Sequence, residues 1–208
     1  MPEEEINGLI AHLQEKSGAL VSYKENADGS KSAYEVNVSY FSALREDYDF
    51  ETAKRRYLNA HGVLLGMQGD AAIYINSYLG VENDEEGVCR TGMNRSINRK
   101  KFRYDELMEK LEHAEDGQAQ IRKEMEKLIR IRKSCDAFDT HAEQKVLQEE
   151  KELFSYIRNG KTKRVLCLHN FSEKEIEKSG IKGTDLWTGE KVNGVVKILP
   201  YGFKWIIL

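Results

Sequence analysis

No apolar run in these 208 residues approaches the ~20 positions that a membrane-spanning helix needs. The N-terminal "MPEEEINGLI" is acidic and lacks the basic-then-apolar order of a secretory signal. Cysteine is scarce: Cys89, Cys135 and Cys167 are far apart, odd in number and form no CxxC pair. That excludes a disulfide framework and points to a reducing, cytoplasmic compartment. There is no basic surplus either, since the formal net charge is −3, so neither nucleic acid nor membrane is expected as a partner. Internal repeats and low-complexity segments are absent. His12, His61 and His141 have no catalytic spacing, and the serines of "SKSA" lack a nucleophile-elbow context.

What is present is ordinary globular material, 40% apolar and 32% charged, long enough for one large domain or two small ones. Ile6, Leu9, Ile10 and Leu13 fall at helical spacing behind three acids, which suits a helix over 3–16. "NADGSKSA" separates "ALVSYK" from "YEVNVSYF" with an Asp-Gly turn signal, so a hairpin is expected there. Ala53, Tyr57, Ala60, Leu64 and Met67 mark the face of a second helix that ends at Gly66 and Gly69. "DAAIYINSYLG" reads as a buried strand of the parallel-sheet kind. After it comes a long polar loop, "VENDEEGVCRTGMNRSINR", then helices around 104–114 and 117–133. Beyond Ser134, "KVLQ", "LFSYIRNG", "RVLCLHNFS", "GTDLWTGE" and "GVVKILPYGFKWIIL" are short alternating segments, an antiparallel β pattern. The reading is therefore α/β over 1–136 and all-β over 137–208. A full (β/α)8 barrel takes about 250 residues, and about half of that precedes the β part, so the first part reads as the end of a barrel.

"RTGMNRSINR" carries three arginines and no acid. Such a run is ordinarily solvated surface; the other reading is one rim of a pocket for an oxygen-rich ligand. Asn83 and Asp84 offer oxygens to a cation, though a solvated turn is the plainer expectation. Cys167 and His169 alternate on one expected strand, but two ligands fall short of the four a zinc site wants, so core packing is expected. Trp187 and Trp205 are read as core aromatics rather than sugar platforms.

Five segments, "YEVNVSYFSAL", "AAIYINSYLG", "RTGMNRSINR", "LIRIRKSCDAF" and "VLCLHNFS…DLWTGE…ILPYGFKWIIL", resemble in that order the C-terminal portion of sucrose-phosphorylase-like members of the alpha-amylase superfamily of glycoside hydrolases. "VSYKENADGSKSAYEVN" is closer to the branch acting on glucosylglycerate and related glucosides. The resemblance implies an incomplete C-terminal part of a (β/α)8 barrel followed by an antiparallel β-sandwich. It implies retaining glucosyl transfer from sucrose, glucosylglycerate or a related α-glucoside to phosphate, giving glucose 1-phosphate. An aspartate nucleophile, a glutamate acid/base and a second aspartate perform that chemistry. By the same resemblance all three would lie upstream of Met1, so no catalytic residue is assigned here and the chain alone is expected to be inactive.

The resemblance does assign substrate-binding residues. Arg95 matches the arginine that grips sugar hydroxyls in the glucose subsite, a task suited to the five-donor guanidinium fork. Tyr34 and Glu35 match an acceptor-side loop where sucrose phosphorylases carry Tyr-Gln. Glu35 departs from that pattern: it repels incoming phosphate but accepts hydrogen bonds from hydroxyls. Met93 and the Asp70-Ala71 turn also depart from the family pattern. Arg99 either anchors the loop to a carboxylate or touches ligand. No cofactor or metal is implied. The expected partners are an α-glucoside and phosphate once the barrel is completed, with an N-terminal half or a second copy completing it. The competing expectation is a noncatalytic carbohydrate-binding or assembly module that completes a separate N-terminal half.

Overall fold

The computed structural model describes residues 2–147 and 150–208. The chain forms two compact units, one from Met1–Ala53 and Ile73–Arg122, the other from Lys54–Ala72 and Lys123–Leu208. The expected order, helices and a hairpin first and antiparallel strands last, is the order found.

In the first unit, α1 (Glu3–Ser17) carries its acids in the first turn and ends on Gly18, whose φ of 63° is a left-handed cap. The expected hairpin follows as β1 (Leu20–Glu25) and β2 (Lys31–Asn37), paired antiparallel. Its turn needs Gly29 at φ 81°, and the Asp28 carboxylate accepts from the Ser30 amide at 3.0 Å. Helix α2 (Tyr40–Arg45) is capped by the Ser39 hydroxyl, which accepts from the Ser42 amide.

Helix α3 (Phe50–Gly66) begins in this unit and continues into the other. Its buried positions include Ala53, Tyr57, Leu58 and Leu65, while Leu64, assigned to the apolar face above, is exposed.

Two expectations are corrected. The "DAAIYINSYLG" segment is not a strand: it has no regular structure as far as Tyr74, which is extended, and then turns into the short helix α4 (Ile75–Tyr78). A strand exists only by pairing, and among the described residues no ladder forms beside it. Tyr74 and Ile75 are exposed, so the chain's own helices do not cover Ile75. The long loop is also more ordered than expected. It contains α5 (Glu85–Thr91) and a 3-10 helix over Asn94–Asn98. The signals were local: Asp84 caps α5 by accepting from the Gly87 amide, and Gly92 closes it at φ 67°. Asp84 is therefore a buried cap rather than a solvated turn. Its neighbour Asn83 accepts from the Ser39 amide and donates to the Ser17 carbonyl, both at 2.8 Å. Helices α6 (Tyr104–Glu112) and α7 (Gly117–Ser134) match the expected pair, with Ile121, Met125 and Leu128 buried on the face read for α7.

In the second unit, β3 (Glu143–Val146), β4 (Leu153–Asn159), β5 (Arg164–Asn170), β6 (Ile176–Asp185), β7 (Lys191–Ile198) and β8 (Phe203–Ile207) pair antiparallel in the order β3-β4-β5-β8-β6-β7. Gln148, the end of the expected "KVLQ" strand, lies outside the described residues. Strands β8 and β6 join through two residue pairs only, Thr184 with Ile207 and Asp185 with Ile206. Leu153, Ile157, Leu166, Leu168 and Ile206 share a core with Val196 and Ile198 of β7, a strand far from β4 in the sheet order. The sheet thus folds over at that join and faces itself, as in a sandwich. The other face of β4, β5 and β8 packs on α3. A Cβ at Gly66 would stand 2.1 Å from the Tyr156 hydroxyl, so only glycine lets the helix come so close. Trp205, Cys167 and His169 are fully buried, while Trp187 is half-buried with the Lys127 ammonium 4.2 Å from its ring centre. Among the described residues no helix is long and apolar enough to cross a membrane.

Hydrogen exchange should reflect this arrangement. Strand β5 is paired on both sides, so amides of Val165–Leu168, and those of Lys204–Ile207, are expected to exchange orders of magnitude more slowly than those of Ala72–Ile75. Equal or reversed protection would contradict the assignment.

Candidate functional site

The site lies in the first unit, where the hairpin meets the 3-10 helix. On the hairpin, Ser22 pairs with Glu35 but Tyr23 pairs with Ala33, so Tyr34 is an extra residue in the ladder. Such a bulge breaks the alternation of side chains and re-aims those around it. Tyr34 stands 66% exposed, while the Glu35 side chain is 29% exposed.

The 3-10 helix presents Arg95 from a pinned support. Ile97 is buried beneath it, and the Ile97 carbonyl accepts from the Asp84 amide at 2.8 Å. The Thr91 and Ser96 hydroxyls meet at 2.6 Å. Asn76, itself buried on α4, donates to the Lys100 carbonyl at 3.1 Å and reaches the Asn98 carbonyl at 3.5 Å.

Arg95 Nε donates to both oxygens of Glu35, at 3.0 and 2.9 Å. The arginine run that has no acid in its own sequence finds one on the hairpin. Glu35 is held below the usual carboxylate range, first by the hydrogen bond from Arg95; desolvation, next in size, opposes this, and the charges of Arg95 and Arg99 and the Asn37 side chain add to the lowering. Arg95 is raised in turn, chiefly by Glu35, with Tyr34 adding to the effect. The structure therefore brings together all three residues singled out above, with Arg99 close enough to act on Glu35. Asn37 and Asn76 were not singled out. Asn37 is buried and donates to the Leu20 carbonyl and the Ser22 hydroxyl, both at 3.3 Å, fixing the base of the hairpin. Nothing in an isolated asparagine marks either role.

An exposed ion pair adds little to stability, so the arrangement matters for orientation rather than for folding. Chemically it offers a guanidinium edge, a carboxylate and a phenol side by side, a set suited to sugar hydroxyls and oxyanions. Among the described residues no cluster of His, Cys, Asp and Glu could hold a metal ion. Removing the guanidinium should release the carboxylate. In an Arg95→Ala chain, carbon NMR titration of Glu35 is expected to place its pKa higher than in the wild type; an unchanged titration would show that the pair does not form in solution.

No family model matches the chain. It is 36% identical over 180 residues to a glucosylglycerate phosphorylase of Spirochaeta thermophila, covering 85% of this chain and 30% of that protein. It is 43% identical over 140 residues to the glucosylglycerate phosphorylase of Escherichia coli, covering 66% of this chain and 25% of that protein. Among solved structures, a sucrose 6F-phosphate phosphorylase from Thermoanaerobacter thermosaccharolyticum superposes with a TM-score of 0.67 at 20% identity, over 100% of this chain and 37% of its own. The chain spans between about a quarter and a third of the length of these two curated relatives. By this relatedness in sequence the chain belongs to the family of the glucosylglycerate phosphorylases and corresponds to their C-terminal portion, with a fold like that of the sucrose 6F-phosphate phosphorylase.

Proposed function

We propose that this chain supplies the ligand-gripping rim of a glucoside phosphorylase, with Arg95 on the glucose and Tyr34 and Glu35 on the acceptor side. The reaction would be retaining transfer of a glucosyl unit from glucosylglycerate, sucrose or a related α-glucoside to phosphate, in the cytoplasm. The observation that carries the reading is the meeting of Tyr34, Glu35 and Arg95 on a pinned support. Two curated relatives bearing the name glucosylglycerate phosphorylase support the choice of reaction. In this reading residues 1–136 contribute barrel and rim, and 137–208 form the β domain.

The covalent route needs a nucleophilic carboxylate about 5 Å from an acid/base carboxylate, on either side of the scissile bond. Glu35 is engaged by Arg95, and Asp84 caps a helix. Neither is available for that work, so catalysis is assigned to carboxylates supplied by a complementary N-terminal part. The exposed side chains of Tyr74 and Ile75, at the start of α4, favour such a complement or a second copy, since exposed apolar surface invites a partner.

The test is release of glucose 1-phosphate from glucosylglycerate and from sucrose in the presence of phosphate. The 208-residue chain alone is expected to give none. Combined with the N-terminal part of the Spirochaeta thermophila relative it is expected to be active, and Arg95→Ala should lower kcat/KM about a hundredfold, the scale of losing a charged donor to a reacting ligand. Turnover by the chain alone, or an undiminished Arg95→Ala complex, would overturn the reading.

A further inference from the structure

Glu35 takes one edge of Arg95 and leaves the other open. Both carboxylate oxygens sit on Nε, and no hydrogen bond among the described residues uses Nη1 or Nη2. The Arg95 side chain is 52% exposed and Glu35 29%, so the pair is anchored at its carboxylate and open at its guanidinium. A lone surface arginine samples many rotamers and loses that freedom when it binds. One already held at Nε by a carboxylate on a hairpin, and at its backbone by a pinned 3-10 helix, has less to lose.

The bulge bears on this as well. Glu35 stands opposite Ser22 directly beside the extra residue Tyr34, so the irregularity of the hairpin lies at the position that holds Arg95.

We infer that Glu35 is a positioning residue: by holding Nε it turns the two terminal nitrogens of Arg95 outward as a fixed fork for two adjacent ligand oxygens. A vicinal diol of a sugar and an oxyanion such as phosphate both present that pattern. The inference rests on the proposed rim function of Arg95, and it gives Glu35, beside its place on the acceptor side, the task of holding the arginine.

The experiment follows the arginine side-chain NMR signals of the chain labelled with nitrogen-15 arginine, combined with the N-terminal part described above; Arg95→Lys assigns the signals. Wild type is expected to show a slowly exchanging Arg95 Nε–H that is lost in Glu35→Ala and weakened in Glu35→Gln. Glucose and inorganic phosphate are then added separately. The expected result is a shift of the Arg95 Nη signals by one of them, which identifies the ligand, with the Nε signature retained. Glu35→Ala should raise the concentration needed for that shift at least severalfold, with Glu35→Asp recovering part of the loss. If ligand shifts Nη while the Nε signature collapses, Glu35 competes with ligand and the inference falls, leaving the rim function intact. If neither probe moves Nη, the rim function of Arg95 falls and the inference with it.

Discussion

Arg158→Met is expected to destabilise the second unit by roughly 3–5 kcal/mol, by analogy with breaking a buried, hydrogen-bonded charge. Arg158 is fully buried on β4. Its Nη1 donates to the Gly66 carbonyl at 2.7 Å, and its Nη2 to the carbonyls of Asp139 at 2.6 Å and Ala142 at 3.2 Å. Beside it, Arg132 donates to the Gly69 carbonyl at 2.6 Å, the Met67 carbonyl at 3.3 Å and the Leu65 carbonyl. Gly66 is the last residue of α3, where carbonyls lack helical partners and the dipole favours a cation. Burial lowers the pKa of both arginines, and for Arg158 the like charge of Arg132 adds to it, yet a guanidinium remains charged. Methionine keeps the aliphatic bulk but takes the donors from three carbonyls, of which that of Gly66 is buried and that of Asp139 keeps the Ala142 amide. Urea denaturation followed by tryptophan fluorescence measures the effect, since Trp205 is buried in the same unit. A change below about 1 kcal/mol would show that water replaces the guanidinium at little cost.

A loss of similar size is expected from acid, through His169. Its Nδ1 lies 2.8 Å from the Asn59 side-chain oxygen, and the Asn59 amide donates to the Asn170 carbonyl at 2.8 Å. That fixes the amide, so Nδ1 carries the proton and Nε2 is left to face the Tyr156 hydroxyl at 3.3 Å. The ring is neutral in this arrangement and fully buried, and burial lowers its pKa to about 3. The unfolded chain takes its proton near pH 6.5, while the folded one does not until about pH 3. Stability is therefore whole above the unfolded value. It falls by ~1.4 kcal/mol per pH unit as pH drops below that value, reaching roughly 4 kcal/mol in total near the folded pKa. His61, also lowered by burial, adds in the same direction. Comparing wild type with His169→Gln isolates the His169 share. The variant should lose ~2–3 kcal/mol less between pH 7 and pH 4.5; equal losses would mean that His169 is hydrated or already protonated.

Much of this fold is legible in the sequence because its signals are local. Asp28-Gly29 marks the hairpin turn, the spacing of Ile121, Met125 and Leu128 marks the buried face of α7, and the alternation after Ser134 marks the strands. The failures have physical causes. A short apolar run such as "AAIYINSY" has no period that separates strand from coil or helix, and only a neighbouring strand would decide it. The Asp84 and Gly92 caps of α5 were readable, but the polar run between them looked like loop. Arg158 sits in "LFSYIRNG", where a single arginine reads as a solvent-facing residue; its buried role depends on carbonyls from distant parts of the chain.

The candidate site divides in the same way. Tyr34, Glu35 and Arg95 were reached through a resemblance, not through periodicity or charge. Their meeting was out of reach, because Glu35 and Arg95 are 60 positions apart and the bulge at Tyr34 appears only once the register is known. Asn37 and Asn76 act on backbone carbonyls, and polar residues in such roles have no distinctive neighbours in sequence.

The most direct test of the central claim is a crystal structure of the chain combined with the N-terminal part of a glucosylglycerate phosphorylase, grown with glucose. The account predicts a glucose ring with two adjacent hydroxyl oxygens within ~3 Å of Arg95 Nη1 and Nη2, hydrogen-bond distance, while Nε still donates to Glu35. A glucose bound in the completed pocket with Arg95 turned to solvent, or with Glu35 swung away to another partner, would contradict it.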